Sequence, residues 1–236
     1  MREYSTHPNP KLVGLRFPAD IEQNSLYYRF MHRLSHIMNV TYWNTRAYNR
    51  HNEPADGSVL YLANHQSFYD PILVCGPLQR PGNFMARDTL FKNPHFAKLL
   101  YSVNTFPVKR GQADVGAMKE AMRRLKAGGT LVIFPEGTRT VDGRIGQFLP
   151  GSAMLSMKVA TWTVPVLIDG AYQAWPKSQL LPTLGSKIVV QYGKAIHRDE
   201  AKQHTPAEFV NIVRQKMIDM QTKLHQHLGK PALKYD

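Results

Sequence analysis

The sequence is poor in cysteine, and it has no long apolar run. Cys75 is the single cysteine among 236 residues, which excludes an internal disulfide and favours a reducing compartment such as the cytosol. No stretch approaches the roughly 18 consecutive apolar residues that mark a membrane-spanning helix. The first part of the chain carries Pro8, Pro10 and Pro18 but no apolar block, so we expect no secretory signal peptide.

Acidic residues are also scarce. The chain has 17 Asp and Glu against 30 Lys and Arg, which gives a net charge of +13. Such an excess favours an anionic partner through long-range attraction: a nucleic acid, anionic lipid head groups, an acidic carrier protein or the phosphates of coenzyme A. A merely basic, solvated surface is the alternative. Because no helix-turn-helix, zinc-finger spacing or aromatic-basic RNA-binding block is present, we expect no nucleic-acid partner.

The length and patterning predict one α/β domain. A chain of 236 residues with 43% hydrophobic residues can bury one substantial core. Apolar strand-like runs alternate with helical patterns, which favours a mixed, mostly parallel sheet flanked by helices, with the site at the strand ends. We assign residues 1–45 to a lead-in and an amphipathic helix, and residues 46–236 to the α/β domain.

A basic amphipathic helix is predicted over residues 20–38. Its apolar residues recur at steps of three and four, namely Leu26, Tyr27, Phe30, Met31, Leu34, Ile37 and Met38. Four basic or titratable residues lie off this stripe: Arg29, His32, Arg33 and His36. The pattern is typical of a helix that lies in a membrane interface, and equally of a helix that packs on a sheet.

Three further helices are predicted from the sequence. Asn93 and Pro94 predict a cap and first turn for a helix that carries Phe96, Leu99 and Leu100 inward. A helix over 114–127 should bury one apolar face made of Val115, Met118, Met122 and Leu125. Near the end of the chain, Thr205 and Glu208 form a capping-box pattern.

The stretch SVLYLANHQSFYD at 58–70 delivers a histidine and an aspartate to the end of a strand. The apolar run 59–62 predicts the strand, His65 follows it, and Asp70 lies five residues further on. If the chain turns from strand into helix between them, the carboxylate can fold back onto the imidazole. It would then fix the tautomer and leave the other ring nitrogen as a base.

No nucleophile accompanies this pair in the sequence. Ser67 lacks a Gly-x-Ser-x-Gly elbow, and the apolar surroundings of Cys75 suit a buried, inert thiol. We therefore expect the nucleophile to be a hydroxyl group of a substrate. A histidine after a strand is also a common structural feature, so the pair alone does not establish catalysis.

A second polar turn follows another buried strand in TLVIFPEGTRT at 130–140. Pro135 stops the strand, and Glu136, Gly137, Thr138 and Arg139 follow it. Together, NHQSFYD and FPEGTRT resemble the glycerolipid acyltransferase family, the lysophosphatidic acid acyltransferases and their relatives. FPVKRG at 106–111 and VPVLIDG at 164–170 resemble two further blocks of that family, in the same order. The resemblance covers about residues 57 to 176.

The resemblance implies an O-acyltransferase. His65, oriented by Asp70, would deprotonate the hydroxyl of a lysophospholipid acceptor as it attacks the thioester of acyl-CoA or an acyl-carrier protein. Arg110, Glu136 and Arg139 would position the acceptor, with the two arginines facing its phosphate; alternatively, Glu136 holds one of these arginines. Backbone N–H groups at Glu136, Gly137 and Thr138 are candidate oxyanion donors. We expect neither a metal nor a resident cofactor.

Two departures from the family pattern leave the acceptor open. Lys109 stands where an acidic residue is usual, and Leu149 where a lysine is usual. The expected acceptor is 1-acyl-sn-glycerol-3-phosphate, with another lysolipid or an amino-acid-linked lysolipid as alternatives. A thioesterase and a non-catalytic lipid-binding protein are rival functions. The expected location is cytoplasmic, peripheral on the anionic inner face of the cell membrane.

Overall fold

The strands of the chain pair into one sheet in the computed structural model, which describes Tyr4 and residues 26–109, 114–183 and 185–235. The strands are β1 Arg46–Tyr48, β2 Val59–Ala63, β3 Phe84–Arg87, β4 Thr105–Val108, β5 Thr130–Ile133, β6 Trp162–Asp169, β7 Val189–Tyr192 and β8 Ile196–His197. Their order is β1-β7-β6-β2-β5-β3-β4, and β8 pairs with β6. All neighbours are parallel except β7 and β8 against β6. The expected mixed, mostly parallel sheet is confirmed.

Helices connect most of these strands. They are α1 Leu26–Trp43, α2 Asp70–Cys75, α3 Pro94–Ser102, α4 Val115–Lys126, α5 Gly151–Lys158, α6 Ala171–Ala174, α7 Arg198–Ala201 and α8 Pro206–Leu228. The predicted caps are confirmed: the Asn93 side chain accepts from the N–H groups of His95 and Phe96. Thr205 and Glu208 form both bonds of the capping box.

The core lies on both faces of the sheet, and β2 lies at its centre. Every residue of β2 is buried, and its side chains alternate between the two faces. Leu60 and Leu62 belong to the cluster that contains Leu125 of α4 and Met217 of α8. Tyr61 and Ala63 belong to the opposite cluster with Leu73 of α2. Helices therefore cover both faces of the strand that leads to the site.

Two inward-facing predictions are wrong. Phe96 of α3 is 41% exposed and Val115 of α4 is 63% exposed. The buried residues of α4 are Ala117, Ala121 and Leu125. Small side chains let this helix approach the sheet closely, so its buried face is centred on the alanines rather than on the larger apolar residues. No residue of α3 is buried, because this helix lies beside β4 at the edge of the sheet.

The N-terminal helix differs from its prediction in extent and in its apolar stripe. It continues to Trp43, and residues 20–25 lie outside the described part of the chain. Its buried residues are Tyr28, Asn39 and Trp43, whereas Leu26, Tyr27, Phe30, Leu34 and Ile37 of the stripe are exposed. Most of the stripe is therefore not core. Across the described residues, we find no helix of the length and apolar character that crossing a membrane requires.

Candidate active site

Asn64 fixes the point at which β2 ends and the site begins. Its side chain donates to the carbonyl of Ile168 at 2.9 Å and accepts from the N–H of the same residue at 2.7 Å. Both atoms of the amide are therefore used to tie the end of β2 to β6. The next residue, His65, leaves the sheet from a fixed position.

His65 and Asp70 lie in direct contact. Nδ1 of His65 is 2.7 Å from Oδ2 of Asp70. The same carboxylate oxygen accepts the backbone N–H groups of Gln66 at 2.5 Å and Ser67 at 2.8 Å. Asp70 is the first residue of α2, so the turn into this helix brings the carboxylate back over the loop that it follows. The structure thus brings together the two residues singled out in the first motif.

The surroundings of the pair orient the imidazole as a base. The Asp70 carboxylate can accept only if Nδ1 carries the proton, which leaves Nε2 unprotonated in the neutral ring. Nε2 has no hydrogen-bond partner among the described residues. The ring stacks on Phe134 at a centroid distance of 4.2 Å and an angle of 20°, which restricts its rotation. Complete burial raises the pKa of Asp70, and the hydrogen bonds from His65, Ser67 and Gln66 oppose that rise.

Glu136 holds the backbone of the histidine. One carboxylate oxygen accepts the His65 N–H at 2.9 Å, and the other accepts the Gly146 N–H at 3.1 Å. The His65 carbonyl in turn accepts the Thr140 N–H at 2.7 Å. The loop from 136 to 146, which we call the clamp loop, therefore grips the main chain of His65 on both sides. Glu136 is placed as a positioning residue for His65.

The other residues of the second motif lie beside this clamp. The Arg139 guanidinium lies 3.4 Å from the centroid of the Phe68 ring, a cation–π contact that places it next to the 65–70 loop. Gly137 and Thr138 are exposed. The Gly137 N–H donates to the Phe134 carbonyl at 3.0 Å, so it is already used within the turn. Arg110 lies outside the described residues.

Four contributing residues carry no clear signal in the sequence. Phe134 and Gly146 contact His65 and Glu136, and a Cβ at Gly146 would lie 2.8 Å from a Glu136 oxygen. Arg214 of α8 donates to the carbonyls of Gly146 at 2.8 Å and Ile145 at 3.1 Å. Tyr235 accepts the Ile145 N–H through its hydroxyl at 3.2 Å. Contacts through backbone atoms leave little trace in residue type, and Phe134, although it is the first residue of FPEGTRT, is not a residue type that indicates catalysis.

Glu136 should make stability depend on pH in a defined direction. Burial raises its pKa from 4.5 to about 7, against the lowering effect of the His65 and Gly146 N–H groups. The folded chain then binds this proton more tightly than the unfolded chain does. The contribution of Glu136 to stability therefore falls by about 3 kcal/mol as the pH rises from about 4.5 to about 7.

Urea unfolding of the wild type and Glu136→Gln checks this expectation. Glutamine is neutral at every pH. The unfolding free energy of the wild type, relative to that of the variant, should therefore decrease by up to about 3 kcal/mol between about pH 5 and about pH 8. Parallel pH profiles would contradict the raised pKa.

Nothing among the described residues suggests a metal centre, since no group of three His, Cys, Asp or Glu side chains could hold an ion there. The site consists of a base, a buried orienting carboxylate, a clamp on the backbone of the base and a nearby guanidinium. Such a set can deprotonate a hydroxyl group and attract an anionic substrate.

Comparison with known proteins gives three consistent findings. A protein-family model described as Acyltransferase matches residues 44–169, more than half of the chain. The chain is 30% identical over 156 residues to a chloroplastic 1-acyl-sn-glycerol-3-phosphate acyltransferase of Arabidopsis thaliana; the match covers 62% of the chain and 42% of that relative. It is 27% identical over 187 residues to the 1-acyl-sn-glycerol-3-phosphate acyltransferase of Bacillus subtilis, which covers 77% of the chain and 90% of the relative.

The fold has a solved counterpart. The crystal structure of the 1-acyl-sn-glycerophosphate acyltransferase PlsC from Thermotoga maritima superposes with a TM-score of 0.67 at 24% identity. The match covers 82% of this chain and 80% of the other. The chain spans less than half the length of the Arabidopsis relative, and most of the Bacillus one.

Proposed function

This chain belongs to the acyltransferase family, and from that membership we propose that it moves a fatty acyl group from a thioester to the hydroxyl of 1-acyl-sn-glycerol-3-phosphate. The product would be phosphatidic acid. The similarity to 1-acyl-sn-glycerol-3-phosphate acyltransferases of Arabidopsis thaliana and Bacillus subtilis supports this acceptor. The donor is acyl-CoA or an acylated carrier protein, both of which are anionic and suit a chain with a net charge of +13.

The His65–Asp70 contact of 2.7 Å is the observation that carries the proposal. Nε2 of His65 takes the proton of the acceptor hydroxyl as its oxygen attacks the thioester carbonyl carbon. The tetrahedral intermediate then collapses, the C–S bond breaks, and the imidazolium returns its proton to the departing thiolate. Asp70 stabilises the imidazolium through the Nδ1–H bond.

A direct transfer, without an acyl-enzyme, fits the surrounding side chains. Ser67 is 1% exposed and its hydroxyl oxygen accepts the Tyr69 N–H, while Cys75 is 4% exposed. Neither residue offers an accessible, activated nucleophile of the kind that a covalent mechanism requires. The substrate hydroxyl is therefore the nucleophile.

The acceptor phosphate is assigned to the side of the site that carries Arg139. Its guanidinium lies against Phe68, three residues after the base, and a planar guanidinium binds phosphate oxygens in pairs. Arg110 remains a proposed second contact on the strength of the motif in which it lies.

We also place the enzyme on an anionic membrane surface, at the inner face of the cell membrane, through α1. Leu26, Phe30, Leu34, Ile37 and Val40 are exposed on this helix and recur at three- and four-residue steps. No acidic residue occurs among its 18 residues, whereas Arg29 and Arg33 are exposed beside the apolar row. An exposed apolar row flanked by arginines is typical of helices that lie in the head-group region.

Replacing two residues of this row tests the membrane contact. Phe30 and Ile37 are 62% and 58% exposed, so Phe30→Gln with Ile37→Gln should remove apolar burial in the bilayer worth about 2 kcal/mol or more. The binding constant for phosphatidylglycerol vesicles, measured by co-sedimentation, should then fall about 30-fold. Val115→Gln, which changes an equally exposed residue on α4, is the control. Equal binding of the double variant and the wild type would exclude α1 as the anchor.

Thiol release from a long-chain acyl-CoA tests the proposed reaction. We expect release only when 1-acyl-sn-glycerol-3-phosphate is present, with phosphatidic acid formed in equal amount. Release without the acceptor would indicate a thioesterase. Absence of release with acyl-CoA and with acyl-carrier protein, across several lysolipids, would leave a lipid-binding protein instead.

A further inference from the structure

A second basic cavity lies away from His65, between α1 and β1. Its volume is about 340 Å³, within the usual range for small-ligand sites. It is lined by His36, Asn39, Val40, Thr45, Arg46, Ala47, Tyr48, Arg50 and Pro77. In the sheet, β7 and β6 separate β1 from β2, so this cavity is distinct from the His65–Asp70 site. We propose that it binds a glycerophosphate group through Arg46, Arg50 and Asn39.

The lining has the charge that a phosphate requires. It offers the donors of two arginines, a histidine, an amide and two hydroxyls, and no carboxylate is among the lining residues. Glu53 interacts electrostatically with Arg50, but its oxygens already accept the N–H groups of Gln79 and Arg80. Arginine in such a setting favours phosphate oxygens over other acceptors.

Several buried polar atoms of the lining have no partner within the described part of the chain. They are both side-chain amide atoms of Asn39, the hydroxyl oxygen of Thr45 and Nε of Arg50. Asn39 itself is 2% exposed. Leaving such a group unpaired costs about 1–3 kcal/mol, so these atoms favour a polar occupant. A phosphate accepts from the donors, and a glycerol hydroxyl can donate to the Asn39 oxygen.

Groups that line the cavity affect the pKa of a neighbouring histidine, His32. His32 lies one turn before His36 on α1, and its Nε2 is 3.2 Å from the Cys75 carbonyl. Burial lowers the pKa of His32 first, and the charges of His36 and Arg50 lower it further. The Arg50 charge therefore acts on the same small volume, where an anion would be stabilised.

The position of the cavity allows two sources for the ligand. Val40 lines it and is also 51% exposed as part of the apolar row of α1. The head group of an anionic phospholipid could therefore enter while its acyl chains contact that row. A free glycerophosphate has the same recognition chemistry without the chains. Neither source requires the transfer reaction, so the site can be tested without turnover.

Calorimetric titration of the 236-residue chain with two probes separates these cases. The probes are glycerol 3-phosphate and monomeric dihexanoyl phosphatidylglycerol. The cavity variant is Arg46→Gln with Arg50→Gln; the control is Lys98→Gln with Lys126→Gln, which removes the same charge from exposed positions outside the lining and away from α1. We expect the cavity variant to weaken binding at least about tenfold and the control less than about twofold.

The outcomes assign the source or overturn the site. Tighter binding of the lipid than of glycerol 3-phosphate, lost in the cavity variant, identifies a head-group site. Equal binding of both probes, lost in the same variant, identifies a site for free glycerophosphate. Equal losses in the cavity and control variants, or no loss in either, would overturn the proposal.

Asn39→Leu provides a second, independent measurement. Leucine has the same branched arrangement of heavy atoms as asparagine and replaces both unpaired amide atoms with methyl groups, so the variant should melt above the wild type in the absence of phosphate. Glycerol 3-phosphate should then raise the Tm of the wild type but not that of the variant. The same ligand-induced shift in both proteins would exclude Asn39 from the site.

Discussion

Replacing His65 with alanine should lower kcat for acyl transfer by about 10²–10⁴-fold, because the acceptor hydroxyl then loses its general base. The KM values for both substrates should change little, since the side chain contacts Asp70 and Phe134 rather than a phosphate or acyl chain. Initial rates of thiol release, measured with acceptor present, give both parameters. The fold should persist, because Glu136 and Thr140 hold the backbone of residue 65 and not its side chain.

A matched substitution serves as the control for this result. His95→Ala removes an exposed histidine on α3, and it should leave kcat unchanged. If His65→Ala retained most of the wild-type rate while the fold was intact, the base would lie elsewhere and the proposed reaction would lose its main support. A selective loss of transfer with normal lipid binding would separate catalysis from mere lipid recognition.

Asp70→Asn should lower kcat by about 10²–10⁴-fold, for a different reason. Three donors converge on Oδ2 of Asp70, while Oδ1 has no partner among the described residues. An asparagine can place its carbonyl oxygen at the Oδ2 position and keep all three bonds. What it cannot keep is the negative charge that stabilises the imidazolium formed during transfer.

Stability and pH profiles distinguish this electrostatic loss from misfolding. The asparagine NH₂ group would take the place of Oδ1, where it is buried without an acceptor, so we expect the unfolding free energy to fall by about 1–3 kcal/mol. The kcat of the variant should lie below that of the wild type at every pH at which the protein is folded. A wild-type rate in the folded variant would mean that the charge of Asp70 is not needed opposite His65.

The sequence predicted those parts of the fold that depend on local chemistry. A run of apolar residues ends at Asn64, and Pro71 permits a helix to start at Asp70, so the His65–Asp70 turn could be anticipated. The caps at Asn93 and Thr205 could likewise be predicted, because their side chains accept from backbone N–H groups that are nearby in sequence. These features involve residues less than six positions apart.

Features set by distant contacts could not be anticipated. The antiparallel placement of β7 against β6 depends on which strand edge is still unpaired, not on the composition of β7. The burial of Ala117 instead of Val115 depends on how closely α4 approaches the sheet. In the same way, α1 has a pattern that fits either core or interface, and only the position of its neighbours shows that most of the stripe is exposed.

The residues of the site likewise include some that the sequence predicted and some that it did not. His65, Asp70, Glu136 and Arg139 belong to contiguous motifs, and the structure places them beside one another. Arg214 reaches the clamp loop through carbonyl groups that every residue possesses, so no pattern of residue types points to it. Its contribution became visible only with the packing of α8.

The clamp loop also limits how related enzymes can diversify. It meets the His65 segment at Glu136 and Thr140, and the Gln66 side chain adds a bond to the Gly143 carbonyl at 3.0 Å. The Gly146 N–H closes the loop by donating to Glu136. An insertion or deletion between any two of these points would shift the register of the remaining contacts and displace the base. We therefore expect the length of this loop to tolerate change less well than most of its exposed side chains do. New acceptor preferences should arise by point substitution at positions such as Leu149, just beyond the loop, rather than by changes in loop length.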